Sequence, residues 1–169
     1  KEGVHFDRAY TSSPICTPAR LTLLTGQYPS SHGGYSIGVS IDPFPEQTLP
    51  KILGEHGYDT SLFGKAHFVS RIDEAAHFAD MPNPSPEIFA EHDGPYVGFD
   101  HAKIATHHTT NGTPECHYRV WLDQQEIDYS RWFPDVKGSH DHARTGVWEI
   151  PTKYHDSTWI TNNTIDWIR

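Results

Sequence analysis

Cysteine is nearly missing from this sequence. Only Cys16 and Cys116 occur among 169 residues, so at most one disulfide can form, and a small secreted scaffold stapled by several bridges is excluded. Positive charge is scarce too: 13 Lys and Arg stand against 22 Asp and Glu, a formal net charge of -9. A chain this acidic lacks the basic footprint that a phosphate backbone or an anionic bilayer needs, which argues against nucleic acid or a membrane as partner. An anionic substrate would need a local cationic pocket. No apolar run approaches the roughly 20 residues that span a bilayer, and no internal repeat is present. The sequence reads as soluble, with its compartment open.

What is there suits one domain with a sizeable core. The chain opens at Lys1 without Met and stops at Arg169 inside an apolar helical pattern that has no C-cap signal, so both ends read as cut. Val4 to Tyr10 is β-compatible and is broken by Ser12, Ser13 and Pro14. Thr17 as N-cap and Pro18 in the first turn predict a helix whose buried side is Leu21, Leu23 and Leu24, ended by Gly26. A second helix is expected from Thr48 to His56, stopped by Gly57, then a strand from Tyr58 to Phe63, directly followed by Gly64-Lys65-Ala66-His67.

Helix, strand and loop in this order form an α/β pattern, whose sites gather beyond the carboxyl ends of strands. Residues 69–155, rich in Pro, Gly, His and Asp, are expected to run as a long loop-rich insertion. A last helix is expected after His155, capped by Asp156 or Ser157, with Trp159, Ile160, Thr164, Trp167 and Ile168 on one buried side.

The chemistry concentrates in two segments. Pro14-Ile15-Cys16-Thr17-Pro18-Ala19-Arg20 runs on through Leu21-Thr22-Leu23-Leu24-Thr25-Gly26. Cys16 and Arg20, four apart at a helix start, share one side with the backbone amides there, where an anion meets an always-charged guanidinium and a favourable helix dipole. Taken alone, Cys16 could be a small buried residue and Arg20 the partner of a surface carboxylate. The second segment is Gly57-Tyr58-Asp59-Thr60-Ser61-Leu62-Phe63-Gly64-Lys65-Ala66-His67.

Together these segments resemble the formylglycine-dependent sulfatases of the alkaline-phosphatase superfamily. The first matches the Cys-x-Pro-x-Arg signature and its Leu-Leu-Thr-Gly helix at every position; the second matches a Gly-Tyr-x-Thr...Gly-Lys-x-His block at a family-like distance. The resemblance continues in Gly3-Val4-His5-Phe6, in Gln27-Tyr28-Pro29 with His32-Gly33, in Gly94 to His101 and in Tyr154 to Ile168. It implies an alkaline-phosphatase-like sandwich with a mixed, mostly parallel central sheet flanked by helices. Residues 1–169 would be the N-terminal portion of the catalytic domain, with the first metal-binding strand and the C-terminal half outside this chain.

By the same resemblance Cys16 is oxidised by a formylglycine-generating enzyme, and one hydroxyl of the hydrated aldehyde attacks the sulfur of a sulfate ester. The alcohol leaves, and the second hydroxyl lets the hemiacetal collapse and expel sulfate. Arg20 and Lys65 would hold sulfate oxygens, His67 would hydrogen-bond the nucleophile or the sulfate, and a divalent metal, usually Ca²⁺, would take position 16 as one of its six to eight oxygen ligands. The other ligands, and hence an active site, would need the remaining part of the catalytic domain. Phe63 and Ala66 depart from the usual pattern, which implies a reshaped wall beside Lys65.

The substrate implied is a small organic or carbohydrate sulfate ester. A phosphonate or phosphate ester hydrolase of the same superfamily is the near alternative, although such relatives tend to carry neutral residues in place of Lys65 and His67. A catalytically silent module that captures sulfated ligands is a third, which the intact Cys16 signature disfavours. His101, His107, His108, His117, His140 and His142 show no structural zinc spacing and read as polar loop residues. Asp73-Glu74 and Asp80 lack the pattern of a glycosidase pair.

Overall fold

The computed structural model describes residues 3–37, 39, 41, 44–68, 88–105, 114–133 and 148–169. Helix α1 (Cys16–Thr25) is followed by a single turn, α2 (Pro29–His32), and by α3 (Leu49–Glu55), then by strand β1 (Ser61–Gly64). After a short helix α4 (Ile88–Glu91) come strand β2 (His101–Ile104), helix α5 (Cys116–Gln124) and helix α6 (Asp156–Ile168). Among the described residues no helix is long and apolar enough to cross a membrane.

The two strands pair in parallel, Ser61 opposite His101 and Gly64 opposite Ile104. The ladder is lengthened by His101 N–H to the Thr60 carbonyl (3.1 Å) and Ala105 N–H to the Gly64 carbonyl (3.0 Å). Alternation sends neighbouring side chains to opposite faces. Ala102 and Ile104 are fully buried in one cluster with Leu21, Leu24, Phe68 and Tyr96. On the other face Phe63 and His101 meet α6: the His101 ring stacks on Trp167 at 4.6 Å, and Phe63 lies 6.2 Å from the same indole. A second cluster joins Tyr118 and Leu122 of α5 to Trp159 of α6. Parallel strands need such cover on both faces because neither face can stay wet.

Several sequence expectations shift by a residue or more. Helix α1 starts earlier than a Thr17 cap requires: the Ala19 amide closes the first turn on the Ile15 carbonyl at 3.1 Å, which makes Ile15 the N-cap and puts Thr17 inside, fully buried. Pro18 tolerates this because third-position amides are orphans as well. Gly26 ends the helix in the left-handed region (φ 69°), where glycine meets no Cβ penalty. Pairing begins at Thr60, so Tyr58 and Asp59 stay out of β1. Val4 to Tyr10 forms no strand among the described residues, and Val4, Phe6 and Tyr10 are 79%, 74% and 88% exposed.

Helix α6 is capped by His155, whose ring Nδ1 accepts from the Ser157 amide at 3.1 Å. Of its expected buried side only Trp159 is buried; Trp167 is half-exposed and Ile168 exposed. The segment 69–155, expected as loops, carries α4, β2 and α5 in its described parts, and β2 hydrogen-bonds directly to β1. Its other stretches, with Asp73, Glu74, Asp80, His107, His108, His140 and His142, lie outside the described residues.

Candidate active site at the start of helix α1

Cys16 occupies the first position of α1 and is half-buried; neither it nor Cys116 is in a disulfide. No side chain caps this helix start. Its Cys16 and Thr17 amides have no intrahelical acceptor, and Pro18 has no N–H to offer. The Thr17 hydroxyl beside them is buried with no hydrogen-bond partner among the described residues.

One turn on, Arg20 donates from Nη1 to the Lys65 carbonyl at 2.7 Å. This bond joins the two sequence segments, 45 residues apart, and sets Arg20 against the loop that leaves β1. Among the described residues neither Arg20 nor Lys65 pairs with a carboxylate. Asp59 shares a pocket of about 430 Å³ with Arg20, walled by Leu24, Leu53 and Phe99, without forming an ion pair. Among the described residues, therefore, Arg20 is not half of a surface salt bridge. Arg20 spends one donor on a backbone carbonyl and gives none to a carboxylate among the described residues.

The loop that carries Lys65 is set by backbone conformation. Gly64 closes β1 at φ 107°, and a Cβ there would sit 3.1 Å from Ile160 Cδ1 of α6. Ala66 is fully buried in the first core cluster. Half-buried His67 has a left-handed φ of 55°, an uncommon conformation for a residue with a Cβ and one that collects at functional sites. The two departures from the family pattern both serve packing: Phe63 against His101 and Trp167, Ala66 in the core. Arg20 is thus bonded to the backbone of Lys65, with Cys16 on the same helical side as Arg20 and His67 two residues beyond Lys65.

The fold also employs histidines that sequence reasoning left in loops. His117 lies buried on α5, accepting from the Ile104 amide at Nδ1 (3.0 Å) and bonding the His92 carbonyl through Nε2 (2.9 Å). Burial pushes its ring down to about 4. His101 is a strand residue stacked on Trp167, and burial lowers its pKa as well. His32, quoted only as part of a His-Gly pair, is 4% exposed. The signal available for it was a histidine beside two glycines, which says nothing of burial. Among the described residues no three His, Cys, Asp or Glu side chains group so as to hold a metal ion.

Comparison with known proteins matches this arrangement. Residues 1–75 fit the family model described as Sulfatase. An arylsulfatase of Clostridium perfringens is 29% identical over 180 residues, covering 99% of this chain and 32% of the relative. An ulvan-active sulfatase of Formosa agariphila is 39% identical over 169 residues, covering 92% of this chain and 31% of the relative. The chain thus spans about a third of the length of these curated relatives. Among solved structures, the phosphonate monoester hydrolase of Agrobacterium radiobacter superposes with a TM-score of 0.55 over 94% of this chain and 29% of its own, at 20% identity. That likeness bears on fold alone: α/β, of the alkaline-phosphatase-like kind. With the matched model covering both segments that Arg20 and Lys65 tie together, the chain belongs to the sulfatase family.

Proposed function

We propose that this chain is the N-terminal portion of a sulfuric ester hydrolase, with Cys16, Arg20, Lys65 and His67 as its contribution to the active site. The observation that carries the reading is the bond from Arg20 to the Lys65 carbonyl at 2.7 Å, because it ties the helix that bears Cys16 to the segment that bears Lys65 and His67. The residues fit the modification: Cys16 is half-buried, outside any disulfide, and at a helix terminus whose amides are uncapped. Oxidised to formylglycine, position 16 supplies a hydrated aldehyde whose hydroxyl is the nucleophile toward sulfur.

The chain's own groups do the rest. Arg20, held by the Lys65 carbonyl, keeps its remaining donors for a sulfate oxygen and for the oxygen at position 16. Lys65 supplies a point charge to a second sulfate oxygen, and its ammonium and the guanidinium offset the charge that develops on the transferred group. His67 holds a hydrogen bond to the nucleophile or to sulfate. The described residues lack the cluster that a divalent ion would need, so further metal ligands, Ca²⁺ or otherwise, would come from outside the described residues, and no step here runs through a metal. The substrate class that fits is a small organic or carbohydrate sulfate ester.

The test is the full-length protein produced with a formylglycine-generating enzyme. Mass spectrometry of the peptide bearing Cys16 should find the aldehyde, and the protein should hydrolyse an aryl sulfate in preference to an aryl phosphonate monoester. Unmodified thiol with no turnover, or a preference for the phosphonate, would overturn the reading.

A further inference from the structure

Around the far side of α1 from Lys65 a second arrangement converges on the nucleophile turn. His32 ends the single turn α2 and is 4% exposed. Its Nδ1 accepts the Gly34 amide at 3.1 Å, which leaves the proton of the neutral ring on Nε2. Nε2 lies 3.3 Å from the Thr22 hydroxyl, in the second turn of α1. Thr22 Oγ1 accepts in turn from the Ser12 hydroxyl at 2.8 Å. One imidazole thus links the loop before Cys16, the second turn of α1, and the chain leaving α2.

We propose that His32 is the positioning residue of the segment that carries Cys16, its ring fixed as the Nε2–H tautomer between the Gly34 amide and the Thr22 hydroxyl. Three features support the assignment. Burial lowers the ring's pKa, with no charged side chain contributing, so it is neutral at pH 7. Gly34 must lack a side chain for its amide to approach: a Cβ there would overlap Leu21 and sit 3.2 Å from His32 Nδ1. Thr22 on α1 and Ser12 in the loop before it flank position 16 on both sides in sequence, and a nucleophile displaced by about 1 Å can lose 10²-fold in rate. His32 acts through the Thr22 hydroxyl.

The inference rests on the sulfatase reading for its rate consequence and on geometry alone for its tautomer. Both are measured in the full-length protein. With selectively ¹⁵N-labelled histidine, the resonance pair lost in His32→Asn should report a proton on Nε2 at pH 7.5; a proton on Nδ1, or an average of both tautomers, overturns the assignment. Normalised to formylglycine content, His32→Asn should lower kcat about 10-fold on an aryl sulfate with KM within about twofold, because the turn is misaimed while the anion pocket stays. His32→Gln, which keeps a donor near the Nε2 position, should recover part of kcat. An unchanged kcat, or a loss confined to KM, overturns the positioning role. If the wild-type protein hydrolyses no sulfate ester, the sulfatase reading has failed, and the tautomer decides this inference alone.

Discussion

Thr60 and Asp100 clasp each other across the start of the parallel sheet. The Asp100 carboxylate accepts both the Thr60 amide (3.1 Å) and the Thr60 hydroxyl (2.7 Å), and the Thr60 hydroxyl receives the Asp100 amide at 3.0 Å. Thr60 is buried, so its donors cannot turn to water when the carboxylate is removed. Asp100→Ala should cost about 1–3 kcal/mol, the penalty of leaving buried donors unmet, read as a lower urea midpoint with an unchanged m-value. An effect under about 0.5 kcal/mol would mean that solvent replaces the exposed carboxylate freely.

That clasp shows where the sequence was legible. Gly57 to His67 and Gly98 to His101 stood out as blocks, and their meeting through Thr60 and Asp100 gives the blocks a physical reason. The order of α1, α3, β1 and α6 was readable from periodicity and helix breakers, while Cys16, Arg20, Lys65 and His67 were candidates through the two motif segments and their resemblance to the sulfatases. Pairing was not: β2 is four residues long, too short for its alternation to name a partner strand, and is specified by what packs on it. His117 and His32 were equally illegible, because a histidine's burial depends on which distant amide or carbonyl it meets. Val4 to Tyr10 shows the converse, a strand-like pattern with no ladder among the described residues.

Gly98 tests how tightly the second block sits on α3. Its φ of 96° is left-handed, and a Cβ would overlap the Thr48 hydroxyl and lie 3.1 Å from the Lys51 amide. Thr48, the N-cap of α3, donates to the Val97 carbonyl at 3.1 Å. Gly98→Ala combines backbone strain with a steric shift at this cap, and should destabilise by about 1–3 kcal/mol in thermal or urea unfolding. Thr48→Ser, which keeps the hydroxyl, should stay within about 1 kcal/mol of wild type.

His117 should make stability depend on mild acid. Its ring titrates at about 4 in the folded chain, against an ordinary 6.5, because burial penalises the charged form. Between these values the unfolded chain binds a proton that the folded chain refuses. Stability therefore falls as pH drops from about 6.5 to about 4 and levels off below, with a full contribution of about 3 kcal/mol. Protonation would also place an N–H at Nδ1 against the Ile104 amide. Unfolding free energies at pH 7.5, 5.5 and 4.5 measure the slope, and His117→Gln should flatten it; an unaltered slope would assign it to other groups.

Arg20→Lys separates charge from geometry. Lysine keeps the positive charge but loses the planar fork that can donate to the Lys65 carbonyl and to an anion at once. Because Arg20 is only half-buried, global stability should change by less than about 1 kcal/mol. In the full-length protein, kcat/KM on an aryl sulfate should fall on the order of 10²-fold, the scale of removing one oriented donor from a charge-developing site. Mass spectrometry of the Cys16 peptide must accompany the assay, since Arg20 lies within the signature that directs modification. With formylglycine retained and turnover lost, Arg20 acts on the sulfate; turnover retained on both counts would make the Arg20 to Lys65 bond a packing feature.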